Sequence, residues 1–435
     1  MTLPLTSRRA PRGHRRMAAM LVGAVLAAGA TLSAPLQAAT LTIACGSSGT
    51  ELELCKKHAD AWGARTGNTV KTFSPPNNPT EALALYRQLF AAKSGDIDVL
   101  LIDTVWPGII RDHLLDLKPY TKGVENQHFA SVVGNNIVDG RLLALPWYVD
   151  AGLLYYRQDL LKKYGLKVPE TWEEMAVTAR KVQDGERAAG QSDFHGYVFQ
   201  AKAYEGLSCN AMEWVGSYGG SLIDADGKIV ANSPQVAKAL NMAATWIGTI
   251  APQGVLNYGE EDSRGVFQNG KALFMRNWPY AYALSQKPDS LIRGKVGVAV
   301  LPKGGADGRH AATLGGWHLG VTKYSKNAAL AADLVMHMTS AAVQKDRAIK
   351  GSFNPTRPDL YGDAEINAAN PFMASLKDVF VSAVTRPSTV AGLKYPAVSQ
   401  SFWDATHNVL SKQQTGEEAA RRLEAKLTLV RRFKW

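Results

Sequence analysis

Apolar runs typical of buried strands alternate with helical patterns over the first third of the chain. The runs at 41–44 and 69–73 are short and β-like, and the run at 97–103, IDVLLID, is apolar almost throughout. Strands that are covered on both faces of a parallel sheet carry such continuous apolar runs. Apolar residues at helical spacing separate each run from the next. This order predicts a doubly wound α/β sheet.

Helix-starting and helix-ending residues set the predicted bounds of the first two helices. Thr50 is a candidate N-cap for a helix that begins at Glu51 and ends before Gly67. A second helix is predicted from Thr80 to about Ala92, after a proline-rich loop. Both helices therefore connect neighbouring strands, as the crossover helices of a parallel sheet do.

The rest of the sequence contains a second set of strand and helix patterns. Residues 140–156 are strand-rich, 171–174 (TWEE) match a capping box at a helix start, and 313–322 return to strand character. Helical patterns occupy 328–338 and the C-terminal segment 416–433. Because a chain of about 400 residues exceeds the size of a single hydrophobic core, we expect two domains.

The N-terminus has the three parts of a secretory signal peptide. Five arginines and no acidic residue lie in the first 16 residues, an apolar stretch fills 17–32, and mostly small residues follow to position 39. A membrane anchor is the alternative, but a spanning helix needs about 20 apolar residues and this core is shorter. We therefore expect 1–39 to be a cleaved signal peptide. Loss of its five arginines lowers the net charge from +11 to +6. After export and cleavage, we expect a periplasmic protein.

The motifs of several common function classes are absent from the sequence. The segment 265–272 resembles a phosphate-binding loop, but Ala272 stands where a hydroxyl residue would bind magnesium. No nucleophile elbow, HExxH motif, GxGxxG fingerprint or metal-ligand spacing occurs, and the basic residues are spread out. We therefore expect no enzyme activity, cofactor, metal or nucleic-acid partner. A glycosidase that uses two of the many carboxylates stays an alternative.

Three cysteines lie beyond the predicted signal peptide: Cys45, Cys55 and Cys209. In an oxidising compartment, Cys45 and Cys55 can form a disulfide that joins the first strand to the first helix. Three buried thiols are the alternative.

Aromatic residues stand beside polar residues in four strand-end or loop segments, which are 103–106, 147–150, 277–280 and 315–318. Sugars present ring C–H faces that stack on aromatic rings, and hydroxyls that bond to charged, planar groups. Such groups on loops between two lobes suit a sugar site. Any one cluster is more often core or turn structure, so it is their recurrence that indicates a sugar-binding cleft.

At these segments the chain resembles the extracellular solute-binding proteins of carbohydrate ABC importers, in the trehalose/maltose-binding branch. The resemblance covers nearly all of the chain after residue 39. Its most specific stretches are LPWYVDAGLLYYRQDLLKKYG (145–165), PETWEEM (169–175), YEGLSCN (204–210), FQNGKALFMRNWPYA (267–281), AATLGGWHLGVTKYS (311–325) and RPS (386–388). It implies an α/β, two-lobed periplasmic-binding-protein fold, in which two doubly wound α/β domains are joined by hinge crossovers and close on a sugar.

The resemblance also implies how the chain is divided between the lobes. Residues 40–149 and about 313–360 would form the N-terminal lobe. Residues 150–312 and about 361–435 would form the C-terminal lobe. Each lobe is thus built from two separate stretches, and several segments must cross between the lobes.

Site residues follow from the resemblance, position by position. Glu51 and Asp103, in the N-terminal lobe, would accept hydrogen bonds from sugar hydroxyls, and Tyr148 and Asp150, at the first crossover, would line the cleft. Trp278 and Tyr280 would supply stacking faces from the second lobe. Near the second crossover, Gly316 would allow close backbone approach and Trp317 would supply another face. Arg386 would donate a bidentate pair of hydrogen bonds to hydroxyls. The residue patterns alone add Asn78, Trp106, Glu205 and Asn210.

One position departs from the pattern of the branch. Its members carry an arginine in the helix after the second strand, whereas residues 77–86 read NNPTEALALY, so that this cation is missing or Asn78 replaces it. We still expect a periplasmic, monomeric substrate-binding subunit that binds a small sugar, an α-linked disaccharide, and delivers it to the transmembrane permease of an ABC importer. Binding of a polyol or another glucoside is the alternative.

Overall fold

The computed structural model describes residues 38–46, 49–376, 379–380 and 383–435. The predicted signal peptide lies outside these residues, apart from its last two, Ala38 and Ala39. The strands are β1 (Thr40–Ala44), β2 (Thr69–Phe73), β3 (Val99–Asp103), β4 (Ile137–Val138), β5 (Arg141–Leu142), β6 (Leu145–Ala151), β7 (Leu153–Arg157), β8 (His195–Val198), β9 (Ala272–Asn277), β10 (Val296–Val300) and β11 (Leu314–Val321).

The first sheet has five strands in the order β2-β1-β3-β11-β6. β1 is parallel to β2 and β3, as the sequence predicts, while β11 is antiparallel to β3 and β6. All of β3 is buried, which explains its unbroken apolar sequence. Asp103 ends β3 and pairs with Trp317 of β11, so this sheet brings two predicted site residues side by side.

The second sheet has four strands in the order β10-β7-β9-β8. β8 and β9 are parallel, whereas β7 is antiparallel to both β9 and β10. This sheet is therefore mixed rather than purely parallel. The division of the chain between the lobes at about 149, 312 and 360 stays a prediction.

Helices pack around both sheets, and none of those in the described residues is long and apolar enough to cross a membrane. The α-helices are α1 (Gly49–Thr66), α2 (Pro79–Ala91), α3 (Lys118–Thr121), α4 (Ala130–Gly134), α5 (Gln158–Lys163), α6 (Trp172–Ala188), α7 (Glu205–Ser217), α8 (Pro234–Ala244), α9 (Glu260–Gln268), α10 (Ala281–Ser285), α11 (Ala328–Met338), α12 (Ala341–Gly351), α13 (Ala364–Ala369), α14 (Ser388–Ala391), α15 (Tyr395–Leu410) and α16 (Gly416–Arg431). Short 3₁₀ helices are Arg111–His113, Val124–Gln127, Gln253–Asn257, Pro358–Gly362, Met373–Ser375 and Gly392–Lys394.

The two predicted crossover helices are confirmed, with a shifted start in each. α1 begins at Gly49, so that Thr50 lies inside the helix and does not cap it, while its end before Gly67 is as predicted. α2 is capped by Asn78, whose side-chain oxygen accepts hydrogen bonds from two backbone N–H groups of the first turn. Satisfying these otherwise unpaired donors is the ordinary role of Asn at this position.

The predicted capping box at the start of α6 forms only in part. The Thr171 hydroxyl accepts a hydrogen bond from the Glu174 N–H at 3.1 Å. The Glu174 carboxylate accepts from the Glu170 N–H at 2.9 Å, one residue ahead of the cap, and not from the cap itself. Both donors are satisfied, so the helix start is stabilised by a variant of the predicted motif.

Two chain crossings join the sheets beside a buried ion pair. β6 passes into β7 through Gly152, and the chain from β10 returns to β11 through Thr313. Glu213, in the fully buried helix α7, and Arg276, in β9, form a bidentate pair with no solvent exposure. A Cβ atom at position 152 would lie 2.0 Å from Glu213 Oε1, and the Thr313 N–H donates to that oxygen at 3.2 Å. The pair therefore contacts both crossing segments.

Replacing Glu213 by Gln should destabilise the fold strongly. Arg276 would keep its charge in a water-free interior without a partner, and breaking one side of a buried pair costs about 3–5 kcal/mol. Chemical denaturation monitored by circular dichroism measures this loss. The matched control is Asp193→Asn, which breaks the exposed pair with Lys271 and should change stability little. Equal effects of the two substitutions would contradict this account of the crossings.

Candidate ligand-binding cleft

A cleft lies where the ends of β3, β6 and β11 in the first sheet face β9, α7 and α9 beside the second. It encloses about 290 Å³, near the lower end of the range for small-molecule sites. Among the described residues, its wall holds seven carboxylates, six aromatic side chains, and Lys202 and Arg386 as basic groups. The cleft is therefore acidic and aromatic, with hydrogen-bond acceptors in excess.

Most of the predicted site residues line this cleft. They are Glu51, Asn78, Asp103, Tyr148, Asp150, Glu205, Trp278, Tyr280, Gly316, Trp317 and Arg386. Trp106 does not line it, because its ring is only 2% exposed and packs edge-on behind Trp317, with ring centroids 5.5 Å apart. Asn210 does not line it either, because its amide donates to Gln200 and to a backbone carbonyl within the fully buried α7.

Glu51 is fixed at one end of the cleft by the first turn of α1. The Tyr148 hydroxyl donates to Glu51 Oε1 at 2.6 Å. Cys45 and Cys55 form a disulfide that joins the end of β1 to α1, on either side of Glu51. A Cβ atom at Gly46 would lie 1.8 Å from Glu51 Oε2, so glycine is needed for this close approach. Burial raises the pKa of Glu51, and the positive charge of Arg347 opposes that rise.

Asp150 stands near the middle of the wall, at the end of β6. It is 7% exposed, and its carboxylate has no hydrogen-bond partner in the described part of the chain. Burial, and then the negative charge of Glu51, raise the pKa of Asp150 to about 8. A buried carboxyl group that lines a cavity and has no partner among the described residues is suited to form hydrogen bonds with a ligand.

Arg386 joins carboxylates that lie on opposite sides of the cleft. Its two terminal nitrogens donate to Asp103 Oδ1 and to Glu205 Oε1, each at 2.8 Å. The Glu205 oxygens also accept from the hydroxyls of Tyr395 and Ser399, so both oxygens of Glu205 have partners within the protein. Arg386 therefore holds β3 and α7 together, and its donors are shared with carboxylates instead of being wholly free for hydroxyls.

Two aromatic faces of the cleft are held by acidic residues at the start of α9. The Trp278 indole N–H donates to Glu260 at 3.3 Å, and the Tyr280 hydroxyl donates to Glu261 at 2.6 Å. The Arg276 guanidinium stacks on the Trp278 ring, 3.8 Å from its centroid. Hydrogen bonds thus hold the polar edge of each ring, and Arg276 also holds one face of Trp278. Both rings form part of the cleft wall.

The glycine pair in β11 makes room for these rings. Gly316 has φ +123°, and a Cβ atom there would lie 2.5 Å from the Tyr148 carbonyl oxygen in β6. A Cβ atom at Gly315 would lie 3.0 Å from the Trp278 ring. Side chains at either position would push β11 away from β6 or from the ring, so this segment needs glycine for both its conformation and its packing.

Asn78 lines the cleft, but its side-chain oxygen is already used as the cap of α2. Its amide N–H₂ group is therefore the part that remains to donate to a ligand. This amide is a hydrogen-bond donor without a charge. The stretch 75–79, PPNNP, lines the same wall, and its prolines restrict the backbone there.

Comparison with known proteins gives the family. The family model of the bacterial extracellular solute-binding proteins matches residues 46–345. The chain belongs to this family. A probable ABC transporter-binding protein of Deinococcus radiodurans is 51% identical over 401 residues, 92% of this chain and 95% of that one. Maltose-bound T. maritima MalE3 has a TM-score of 0.86 and 40% identity, covering 90% of this chain and 100% of that one. A mannitol-binding protein of Pseudomonas aeruginosa is 27% identical over 254 residues, 56% of this chain and 57% of that one.

These matches bear on the fold of this solute-binding protein as well as on its family. The two-lobed periplasmic-binding-protein fold predicted from the sequence is confirmed. The cleft lies between the two sheets, with its wall drawn from both. A solute-binding protein of this fold therefore has its candidate site where a ligand can contact both halves of the molecule at once.

Sequence reasoning missed several wall residues of this solute-binding protein. Glu260, Glu261 and Asp262 form the first turn of α9, where acidic residues are ordinary helix-start features. Their place beside Trp278 and Tyr280, which bond to Glu260 and Glu261 across 18 and 19 residues, becomes visible only when α9 packs on β9. Phe353 and Tyr204 also line the cleft, and their polar neighbours Asn354 and Glu205 are the signal that could have found them.

The protonation of Asp150 should make the stability of the unliganded solute-binding protein depend on pH. Its pKa rises from 3.8 to about 8 on folding, so the folded state binds the proton more tightly. This stabilising contribution is complete below about pH 4 and is lost as the pH rises toward 8. The melting temperature of the wild type should therefore fall relative to that of Asp150→Asn across this range. Asp226→Asn, at an exposed hairpin tip, is the control and should run parallel to the wild type. A parallel profile for Asp150→Asn would contradict the assignment.

Proposed function

We propose that this chain is the periplasmic substrate-binding subunit of an ABC sugar importer. It binds a small sugar, an α-linked disaccharide, in the cleft between its lobes and delivers it to the transmembrane permease, while a separate subunit hydrolyses ATP. The observation that carries the proposal is the wall of the cleft. Aromatic faces and unshared carboxylate oxygens from both sides of the molecule meet across a cavity of about 290 Å³.

This arrangement suits the two surfaces of a sugar. Trp278, Tyr280 and Trp317 offer faces for the C–H side of a pyranose ring. Asp150, Glu51 and the second oxygen of Asp103 offer acceptors for hydroxyl groups, and buried charged acceptors form the stronger hydrogen bonds. Because these groups belong to both lobes, a ligand that contacts them all favours the closed form over the open one.

Maltose is the first ligand to test, since the maltose-bound MalE3 of T. maritima is 40% identical over most of the chain. The missing arginine near Asn78 argues that selectivity differs from that of the trehalose/maltose branch. A polyol is the second candidate, because a mannitol-binding protein is among the relatives and a polyol also offers a row of hydroxyls.

The remaining parts of the proposal concern location, partners and chemistry. We infer export by a cleaved signal peptide, a soluble monomer in the periplasm, and docking of the closed form on the permease. Delivery leaves the sugar intact, so we infer that the protein is not an enzyme. A glycosidase would need a pair of carboxyls about 5–9.5 Å apart across the scissile bond. Recovery of unchanged maltose after long incubation tests this alternative.

A thermal-shift screen of the protein without residues 1–38 tests the proposed function directly. Mono- and disaccharides and mannitol are added one at a time, with an amino acid and inorganic phosphate as controls. A ligand that binds only the folded state raises the melting temperature with its concentration. We expect at least one disaccharide or polyol to do so. Absence of a shift with every sugar and polyol, or a shift with phosphate alone, would overturn the proposal.

Two substitutions in the cleft should weaken binding of the ligand found in that screen. Trp278→Ala removes a stacking face and Asp150→Ala removes a buried acceptor, and each should cost about 1–3 kcal/mol of binding free energy. Isothermal calorimetry measures the change. The controls are Trp435→Ala, whose ring lies against the hairpin at Gly227, and Asp226→Ala at an exposed tip. Unchanged affinity in both cleft variants would show that the ligand binds elsewhere.

A further inference from the structure

Arg347 is an unusual buried cation. It lies in α12 and is 1% exposed, and none of its three guanidinium nitrogens has a hydrogen-bond partner among the described residues. Its guanidinium instead stacks between rings, 3.7 Å from the centroid of Trp147 and 4.3 Å from that of Phe353. Burial lowers the pKa of Arg347 to about 10, which leaves it charged at neutral pH.

Burying such a cation costs free energy unless nearby groups stabilise its charge. A buried guanidinium without hydrogen bonds loses its hydration, and cation–π contacts return only about 2 kcal/mol or somewhat more. Arg357, on the segment after α12, shows the ordinary arrangement, because its nitrogens donate to Gln127 and to a backbone carbonyl. The stacking of Arg347 explains its position but leaves its charge without a direct partner.

The charge of Arg347 lies directly behind the cleft wall. Its ring partner Phe353 lines the cleft, and so does Tyr148, whose ring centroid lies 5.2 Å from the guanidinium. The rings of Tyr148 and Phe353 are 4.9 Å apart. The Tyr148 hydroxyl donates to Glu51, so one aromatic layer separates Arg347 from the carboxylates at this end of the cleft.

The charged groups that act on these carboxylates come from several elements. Arg347 and Glu261 of α9 act on Glu51, with opposite signs. The groups that act on Asp150 are Glu51, Arg276, Arg347 and Asp103. Arg276 is bound to Glu213, and the neighbour of Arg347 on its own helix, Asp346, is bound to Lys57 and Lys350. Of the two arginines that act on these carboxyls, Arg347 is therefore the one without an ion pair among the described residues.

We propose that Arg347 is a positioning residue of the ligand site, whose charge favours the ionised, hydrogen-bond-accepting form of Glu51 and Asp150 while its stack fixes the Tyr148 ring. This inference rests on the proposed function for its effect on sugar binding.

The first measurement needs no ligand. Side-chain ¹³C NMR titrations of Glu51 and Asp150 are compared between the wild type, Arg347→Met and Arg347→Lys. A nearby opposite charge lowers a carboxyl pKa by roughly 1–3 units, so its removal in Arg347→Met should raise the pKa values of both carboxyls by about one unit. Arg347→Lys keeps the charge and should leave them close to the wild-type values. Unchanged pKa values in Arg347→Met would overturn the proposal.

The second measurement follows binding of maltose by calorimetry between pH 5 and 9. Affinity should rise with pH as the two carboxyls ionise, and Arg347→Met should move this rise upward by about one pH unit, which is a loss of about tenfold at pH 7. The matched control is Arg357→Met, which removes another buried arginine and should lower the melting temperature without moving the rise. An Arg347→Met variant that binds more weakly by the same factor at every pH would show a merely structural role.

The two measurements separate this inference from the proposed function. If the wild type binds no maltose while the NMR titrations respond as expected, the choice of ligand fails and the electrostatic role of Arg347 stands. If maltose binds but the carboxyl pKa values do not respond, the inference about Arg347 fails alone. If Arg347→Met does not fold, Arg347→Lys gives the test. A folded Arg347→Lys variant in which the pKa values of Glu51 and Asp150 rise by about one unit, although the charge is kept, would overturn the proposal.

Discussion

The buried pair of Glu213 and Arg276 links the architecture of this protein to its cleft. One oxygen of Glu213 contacts both segments that cross between the sheets, at Gly152 and at Thr313. The other end of the pair, Arg276, stacks on Trp278 and so fixes an aromatic face of the cleft. A buried ion pair is weak evidence for net stability, but it is sensitive to the loss of either partner. Here it ties the geometry of the crossings to the position of a ligand-facing ring.

The cleft is built on a conflict between burial and charge. Carboxylates are good acceptors for hydroxyls only when they are ionised, and burial opposes ionisation, as the raised pKa values of Glu51 and Asp150 show. The structure distributes cations to offset this effect. Arg386 is placed between Asp103 and Glu205, and Arg276 and Arg347 lie behind aromatic walls. The wall facing the cavity therefore stays rich in acceptors, while the positive charges are kept mainly out of it.

Family membership and ligand identity rest on different kinds of observation. The family follows from the match over residues 46–345 and from a fold shared with MalE3 over 90% of the chain. Ligand identity depends on a few side chains at the cleft, among them Asn78, whose side-chain oxygen is used to cap α2. The family therefore follows from the fold, whereas the choice of sugar is made by the side chains that line the cleft.

The sequence alone determined the local elements and the residue types of the site. Local patterns could be predicted from neighbouring residues, and they include the apolar run of β3, the helix end at Gly67 and the aromatic–polar clusters. Tertiary structure decided which of these patterns face the cleft, because packing direction is set by distant partners: Trp106 turned behind Trp317, Asn210 was buried within α7, and Glu260 was brought to Trp278. It also decided the strand directions of the second sheet and the place of Arg347, since both depend on segments that are far apart in the chain.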